Sequence, residues 1–176
     1  MRFTNTPLPG ACVVDIEPRP DERGVFARTF CEREFAANGL TKRFKQCNLS
    51  VNSRRGVLRG MHFQAAPHGE AKLVRCVRGA VYDVIVDLRS ASPTFLQWFA
   101  VELTARNARA LYVPDGLAHG FVTLEDDTEL LYLMSEEYHA NSARVVRWND
   151  PAFSIDWPIK NPTLSARDAT APDFVT

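Results

Sequence analysis

Between Arg43 and Ser135 the chain alternates apolar and polar residues with a period of two, the signature of half-buried β-strands. The runs FKQCNLSV, VLRGMHF, KLVRCV, AVYDVIVDL, FLQWFAVEL, ALYVP, HGFVTL and ELLYLMS each read as a strand. Turn chemistry separates them at Asn52–Gly56, Arg78-Gly79, Asp115-Gly116 and Glu125–Asp127. AVYDVIVDL has an apolar face, Tyr82, Val84, Val86 and Leu88, and a mixed face, Val81, Asp83, Ile85 and Asp87. That division suits a strand with one side on a core and the other toward a site. Upstream, ACVVDIEP reads as a strand stopped by Pro18 and Pro20, followed by a turn at Asp21–Gly24 and an extended run from Val25 to Phe30. CEREFAANGL predicts a short helix capped near Asn38-Gly39. From Asn149 the prolines at 151, 158 and 162 predict an irregular tail that wraps the strands. The sum is one all-β domain over residues 1–176, a jelly roll or related antiparallel barrel.

Charge narrows the partners. Lys+Arg and Asp+Glu balance at 21 each, so no bulk field favours nucleic acid or a membrane surface. No apolar run approaches a membrane span, and the N-terminus lacks a signal-peptide core. Cys12, Cys31, Cys47 and Cys76 are widely spaced without a C-x-x-C pair, which predicts reduced thiols in a cytoplasmic protein. Cys47 and Cys76 fall within apolar strand patterns, where each is expected to serve as a small hydrophobe.

Candidate chemistry concentrates in GVLRGMHFQAAPHGEAK, residues 56–72, with Arg59, His62, His68, Glu70 and Lys72. Arg59 and Lys72 suit an anionic ligand, and an imidazole at His62 suits proton transfer near neutral pH. Three residues apart on an ideal strand, Arg59 and His62 would point to opposite faces; a bulge at Gly60 would bring them to the same side. His62 and His119 both lie between apolar residues, where a satisfied core histidine is the alternative reading. His68 and His139 sit in loop-like sequence and are expected to be solvated. Metal-binding cupin jelly rolls pair two histidines one residue apart; here Phe63 and Gln64 follow His62, so that ligand pair is absent and no metal or other cofactor is expected. Tyr132 and Tyr138 are barrel-lining aromatics by default, and proton donors only where the hydroxyl meets a polar cavity. Asp168, in LSARD, is either a solvated loop carboxylate or the partner that orients His62.

The ordered runs DERGVFARTF, QCNLSVNSRRGVLRGMHFQ, KLVRCVRGAVYDVIVDLR, SPTF, PDGLAHGF, LLYLMSEEY, VRWNDPAFSIDWP and LSARD together resemble the dTDP-4-dehydrorhamnose 3,5-epimerase family, from about Cys12 to Asp168. The resemblance implies a metal-free cupin-like jelly roll, a homodimer whose protomers exchange strands, and a nucleotide-linked 4-keto-6-deoxyhexose as substrate. By position, His62 matches the general base and Asp168 its carboxylate partner. Tyr132 matches the proton donor on the opposite face of the sugar, and Lys72 the lysine near the ketone oxygen. Arg23 and Arg59 match arginines that hold the diphosphate and nucleotide. Gln46, Asn48 and His119 match further polar contacts, and Phe26 and Tyr138 the aromatics that stack on the base. The chemistry fits the residue types: the C4 ketone acidifies the C3 and C5 hydrogens, a base on one face forms an enolate, and an acid on the other face returns the proton.

Three positions depart from the family pattern: Arg28 and Ala143 stand where nucleotide-side glutamates are common, and Leu133 replaces a lysine beside the acid tyrosine. These leave the base and acid intact and bear on which nucleotide is bound and on whether carbon 3, carbon 5 or both are inverted. Alternative readings are a nucleotide-sugar ketoisomerase on the same barrel, a non-catalytic nucleotide-sugar binding protein and, more remotely, a metal-dependent cupin oxygenase.

Overall fold

The computed structural model describes residues 1–41 and 43–174. In chain order the strands are β1 (Arg2–Asn5), β2 (Cys12–Asp15), β3 (Arg19–Asp21) and β4 (Gly24–Phe26), followed by the helix α1 (Glu32–Ala37). The main body follows with β5 (Gln46–Asn52), β6 (Leu58–Gln64), β7 (Lys72–Arg78), β8 (Ala80–Asp87) and β9 (Trp98–Thr104). It closes with β10 (Ala110–Val113), β11 (Leu117–Thr123), β12 (Thr128–Met134), β13 (Ala143–Val145) and a last helical turn, α2 (Ala166–Ala169). Helix α1 ends as expected: Gly39, at positive φ, donates to Ala36 and Leu40 donates to Phe35.

Two antiparallel sheets face one another, in the orders β1-β2-β10-β7-β12-β5 and β13-β6-β11-β8-β9, while β3 and β4 form a separate hairpin. This is the expected jelly roll, with strands distant in sequence adjacent in space. Its interior holds Val74, Cys76 and Leu130 from the first sheet against Val81, Ile85 and Phe121 from the second. The mixed face of β8 therefore looks inward. Its apolar face looks outward and is covered by the tail, where Phe153 and Trp157 pack on Val84, Val86 and Val122. The wrapping tail is thus a third layer that seals the second sheet.

The outer face of the six-stranded sheet is treated unequally. At one end Phe35 of α1, with Phe30 and Phe44, covers Leu73, Val14 and Tyr112. At the other end Leu49, Val51 and Val77 are exposed. Cys47 corrects the sequence reading. It is exposed, because alternation along β5 turns it to this uncovered face rather than to the core, whereas Cys76 is buried as expected. Among the described residues no helix is long and apolar enough to cross a membrane.

Asp87, fully buried at the end of β8, anchors the following loop. It accepts hydrogen bonds from Arg89 Nη2 (2.7 Å), Ser92 Oγ (2.6 Å) and Thr94 Oγ1 (2.7 Å). Burial pushes the carboxyl up, but these donors together hold it well below the usual carboxylate range. A carboxyl lowered in the folded state stabilises above its unfolded pKa of about 4, and that stabilisation is lost as pH falls toward the lowered value. Asp87→Ala is expected to cost about 3 kcal/mol at pH 7 by urea unfolding. The deficit relative to the unsubstituted protein should narrow below about pH 4; a deficit independent of pH would contradict this account.

Candidate active site

The site begins with a close approach of two backbones. A Cβ on Gly60 would lie 2.8 Å from Gly120 Cα, and one on Gly120 would lie 2.6 Å from Met61 Sδ. Only glycine fits on both strands there. In the same place three steps of β6, from Arg59 to His62, lie opposite two steps of β11, from Phe121 to His119. This is the bulge expected at Gly60, and it brings Arg59 and His62 to one cavity.

That cavity, of about 440 Å³, opens between the two sheets. Of the residues singled out from sequence, Asn48, Arg59, His62 and Lys72 line it, as do His119, Tyr132 and Tyr138. Asp168 stands behind His62, with Oδ1 at 2.7 Å from Nε2. It arrives on α2, whose N-cap Ser165 accepts from the Asp168 amide at 3.1 Å. Burial raises the Asp168 carboxyl, but the His62 hydrogen bond and charge, Ser165 and the Gly60 N–H together bring it below its ordinary value. The ionised carboxylate accepts the Nε2 proton, which leaves Nδ1 as the basic nitrogen of the neutral ring.

Two further pairs surround the cavity. His119 Nε2 lies 2.8 Å from Oδ1 of the fully buried Asp83, whose carboxyl burial raises and His119 only partly restores. Lys72, almost wholly buried, donates to Glu70; burial lowers its ammonium, against the opposing charges of Glu70 and Asp115. The Tyr132 hydroxyl is pushed well above its ordinary value by burial and by Asp83. It therefore holds its proton at neutral pH.

Other expected residues lie elsewhere in the protomer. Gln46 does not line the cavity; its Oε1 accepts from the Tyr138 amide at 3.0 Å and so places that aromatic at the rim. Arg23 is paired to Asp21 at 2.6 Å in the exposed β3–β4 hairpin. Phe26, in the same hairpin, is 74% exposed. Arg28 pairs with Glu34 at 2.9 Å. Ala143 does line the cavity, but Leu133 packs on the outer face of its sheet beside the α1 cluster, so its exchange leaves the cavity wall unchanged. His68 and His139 are not simply solvated: their rings stack at 3.6 Å, half-buried.

Sequence reasoning missed Gln64, Ser50, Arg167 and the role of Asp83 and Glu70. Gln64 Nε2 donates to Glu70 (3.2 Å) and to the Glu137 carbonyl (3.0 Å), while its Oε1 accepts from the His139 amide (2.6 Å). The one legible signal was Asp83, a lone acid on the inward face of an apolar strand that needs a buried partner. Among the described residues, no three His, Cys, Asp or Glu side chains gather in a way that could hold a metal ion.

A sequence profile of the dTDP-4-dehydrorhamnose 3,5-epimerases matches residues 5–176. The chain belongs to this epimerase family. It is 42% identical over 176 residues to the dTDP-4-dehydrorhamnose 3,5-epimerase of Shigella flexneri, covering 99% of this chain and 97% of that one. It is also 44% identical over 172 residues to a dTDP-4-dehydrorhamnose 3-epimerase of Streptomyces niveus, covering 97% of this chain and 83% of that one. In three dimensions it superposes on the crystal structure of the dTDP-4-dehydrorhamnose 3,5-epimerase of Elizabethkingia anophelis with a TM-score of 0.95 at 41% identity, covering 99% and 96% of the two chains. Within the epimerase family, single and double epimerases thus stand at similar distances from this chain.

Proposed function

We propose that this chain inverts carbon 3, carbon 5 or both of a dTDP-linked 4-keto-6-deoxyhexose without a cofactor, in deoxysugar biosynthesis. The observation that carries the reading is one cavity shared by an imidazole oriented by a carboxylate and a half-buried phenol that holds its proton. His62 Nδ1 takes the proton next to the ketone, and Asp168 stabilises the imidazolium that forms. The developing enolate oxygen is met by Lys72, a donor whose burial strengthens its effect on that charge. Tyr132 returns a proton from the opposite side, which inverts the centre. His119 and Asn48 hold the sugar, Arg59 takes the diphosphate, and Tyr138 at the rim stacks on the base. A cytoplasmic location is part of this reading: it is supported by a nucleotide-activated substrate and by four unpaired cysteines, in keeping with a reducing compartment.

Incubation with dTDP-4-keto-6-deoxyglucose in deuterium oxide is expected to place deuterium at C3, C5 or both by NMR. Absence of exchange with this or any other nucleotide-linked 4-keto sugar would sink the reading. His62→Ala should lower exchange at least ~100-fold, while dTDP still raises its melting temperature.

The working form is a homodimer in which the β3–β4 hairpin of each protomer completes the partner's cavity. Two features support this. Arg23 and Phe26 do not line the protomer's own cavity, and Val25 and Phe26 are 65% and 74% exposed. The uncovered sheet face carries Leu49, Val51 and Val77, an apolar surface suited to a second copy. Mixing inactive His62→Ala with inactive Arg23→Ala/Phe26→Ala protein, under conditions that exchange protomers, is expected to restore activity neither has alone. A mixture that stays inactive although mass spectrometry detects mixed dimers would show that the hairpin serves its own protomer.

A further inference from the structure

Tyr132 faces a difficulty that the pairing of base and acid does not resolve. Its phenol is half-buried, and charges on three strands act on it, Arg59 of β6, Cys76 of β7 and Asp83 of β8, while the His119 ring of β11 stands 6.0 Å from its own. Lys72 and His62 line the same cavity. Burial and Asp83 oppose the phenolate strongly, so a proton leaves this oxygen only where something stabilises the anion as it forms. The phenol is also free to rotate, and a hydroxyl that donates to a protein acceptor has no proton aimed at the sugar.

The strand beside it answers both points. In the β5–β12 register Tyr132 lies opposite Asn48 and Leu130 opposite Ser50, so Ser50 is the diagonal neighbour of Tyr132 on the inward face; both line the cavity, and the Ser50 hydroxyl lowers the phenol against burial and Asp83. The next inward residue is Asn52, which is buried. Its Oδ1 accepts from Arg59 Nε at 2.8 Å, and its Nδ2 donates to the Thr128 carbonyl at 3.2 Å and to Ser50 Oγ at 3.3 Å. Arginine only donates and a carbonyl only accepts, so the amide has one orientation. Ser50 Oγ is therefore already an acceptor from Asn52. Its single proton is left for another acceptor, and Tyr132 is the diagonal neighbour on the same inward face.

We propose that Ser50, locked by Asn52, is a positioning residue that aims the Tyr132 proton at the substrate and stabilises the phenolate left behind. In the step itself the proton moves from Tyr132 Oη to the enolate carbon, whose π electrons form the new C–H bond. The O–H electron pair remains on the phenolate, which accepts the Ser50 hydrogen bond until water restores the proton. Because donors run in one direction from Arg59 through Asn52 and Ser50, a cation stands at the head of the chain.

The proposal rests on Tyr132 being the acid, and the test separates the two ideas. Deuterium washed into C3 or C5 and inversion at the same carbon are measured together. Removal of the proton by His62 and its return by His62 give exchange with retention; only proton delivery by Tyr132 gives inversion. Ser50→Ala is expected to lower the kcat for inversion about 10- to 100-fold, the worth of a hydrogen bond to a charged group. KM should change less than about twofold and exchange should fall far less than inversion, since Ser50 acts on the transition state of the return step. Ser50→Thr, which keeps the hydroxyl, should recover most of the loss, and the melting temperatures of all variants are measured alongside. Exchange and inversion falling in parallel, or no fall in either, would overturn the proposal. Should Tyr132→Phe keep full inversion, the assignment of Tyr132 itself is wrong, whatever Ser50→Ala does.

Discussion

The site depends on two strands brought closer than side chains allow. Gly60 and Gly120 let β6 and β11 meet almost backbone to backbone, and the bulge beside them gives β6 one extra residue. Without it, strand alternation would send either Arg59 or His62 out of the cavity they share. Both face inward, and the Gly60 N–H also helps hold the carboxylate of Asp168. One local irregularity thus orders three groups. Neither glycine contributes a side chain, yet either position filled would displace a neighbouring backbone or Met61.

Around that point the barrel gives its imidazole and its phenol different partners. His62 is half-open and bonded to an ionised carboxylate, so it can accept a proton and have the resulting charge stabilised. Tyr132, also half-buried, has desolvation and a nearby buried acid keeping its proton in place. One group arrives on the five-stranded sheet and the other on the six-stranded sheet, so the distance between the sheets sets the gap between imidazole and phenol. The tail contributes twice: Phe153 and Trp157 seal the outer face of β8, and α2 brings Asp168 to His62. Stability and function share that segment.

The strands and their order were legible because alternation and turn residues agree along most of the chain. The helix end at Asn38-Gly39 and the bulge at Gly60 were also readable, each from a residue whose conformational freedom has few other uses. What escaped was set by tertiary placement. Cys47 and Cys76 occupy similar local patterns, but one faces an uncovered sheet surface and the other the core. Leu133 is adjacent to the acid tyrosine in sequence and on the opposite face in space. Gln46 and Gln64 look alike as strand amides, yet one holds the Tyr138 amide at the rim and the other ties Glu70 to the 136–139 loop. The stacking of His68 on His139 joins two loops that no periodicity relates.

The central claim is that a base and an acid address one sugar from opposite faces. A crystal structure of the Tyr132→Phe protein with a dTDP-linked 4-keto-6-deoxyhexose tests it most directly. The account predicts the sugar ring between His62 Nδ1 and the ring of residue 132, its ketone oxygen toward Lys72, and the diphosphate on Arg59. A ring bound outside that gap, or one that presents C3 and C5 away from His62, would contradict it.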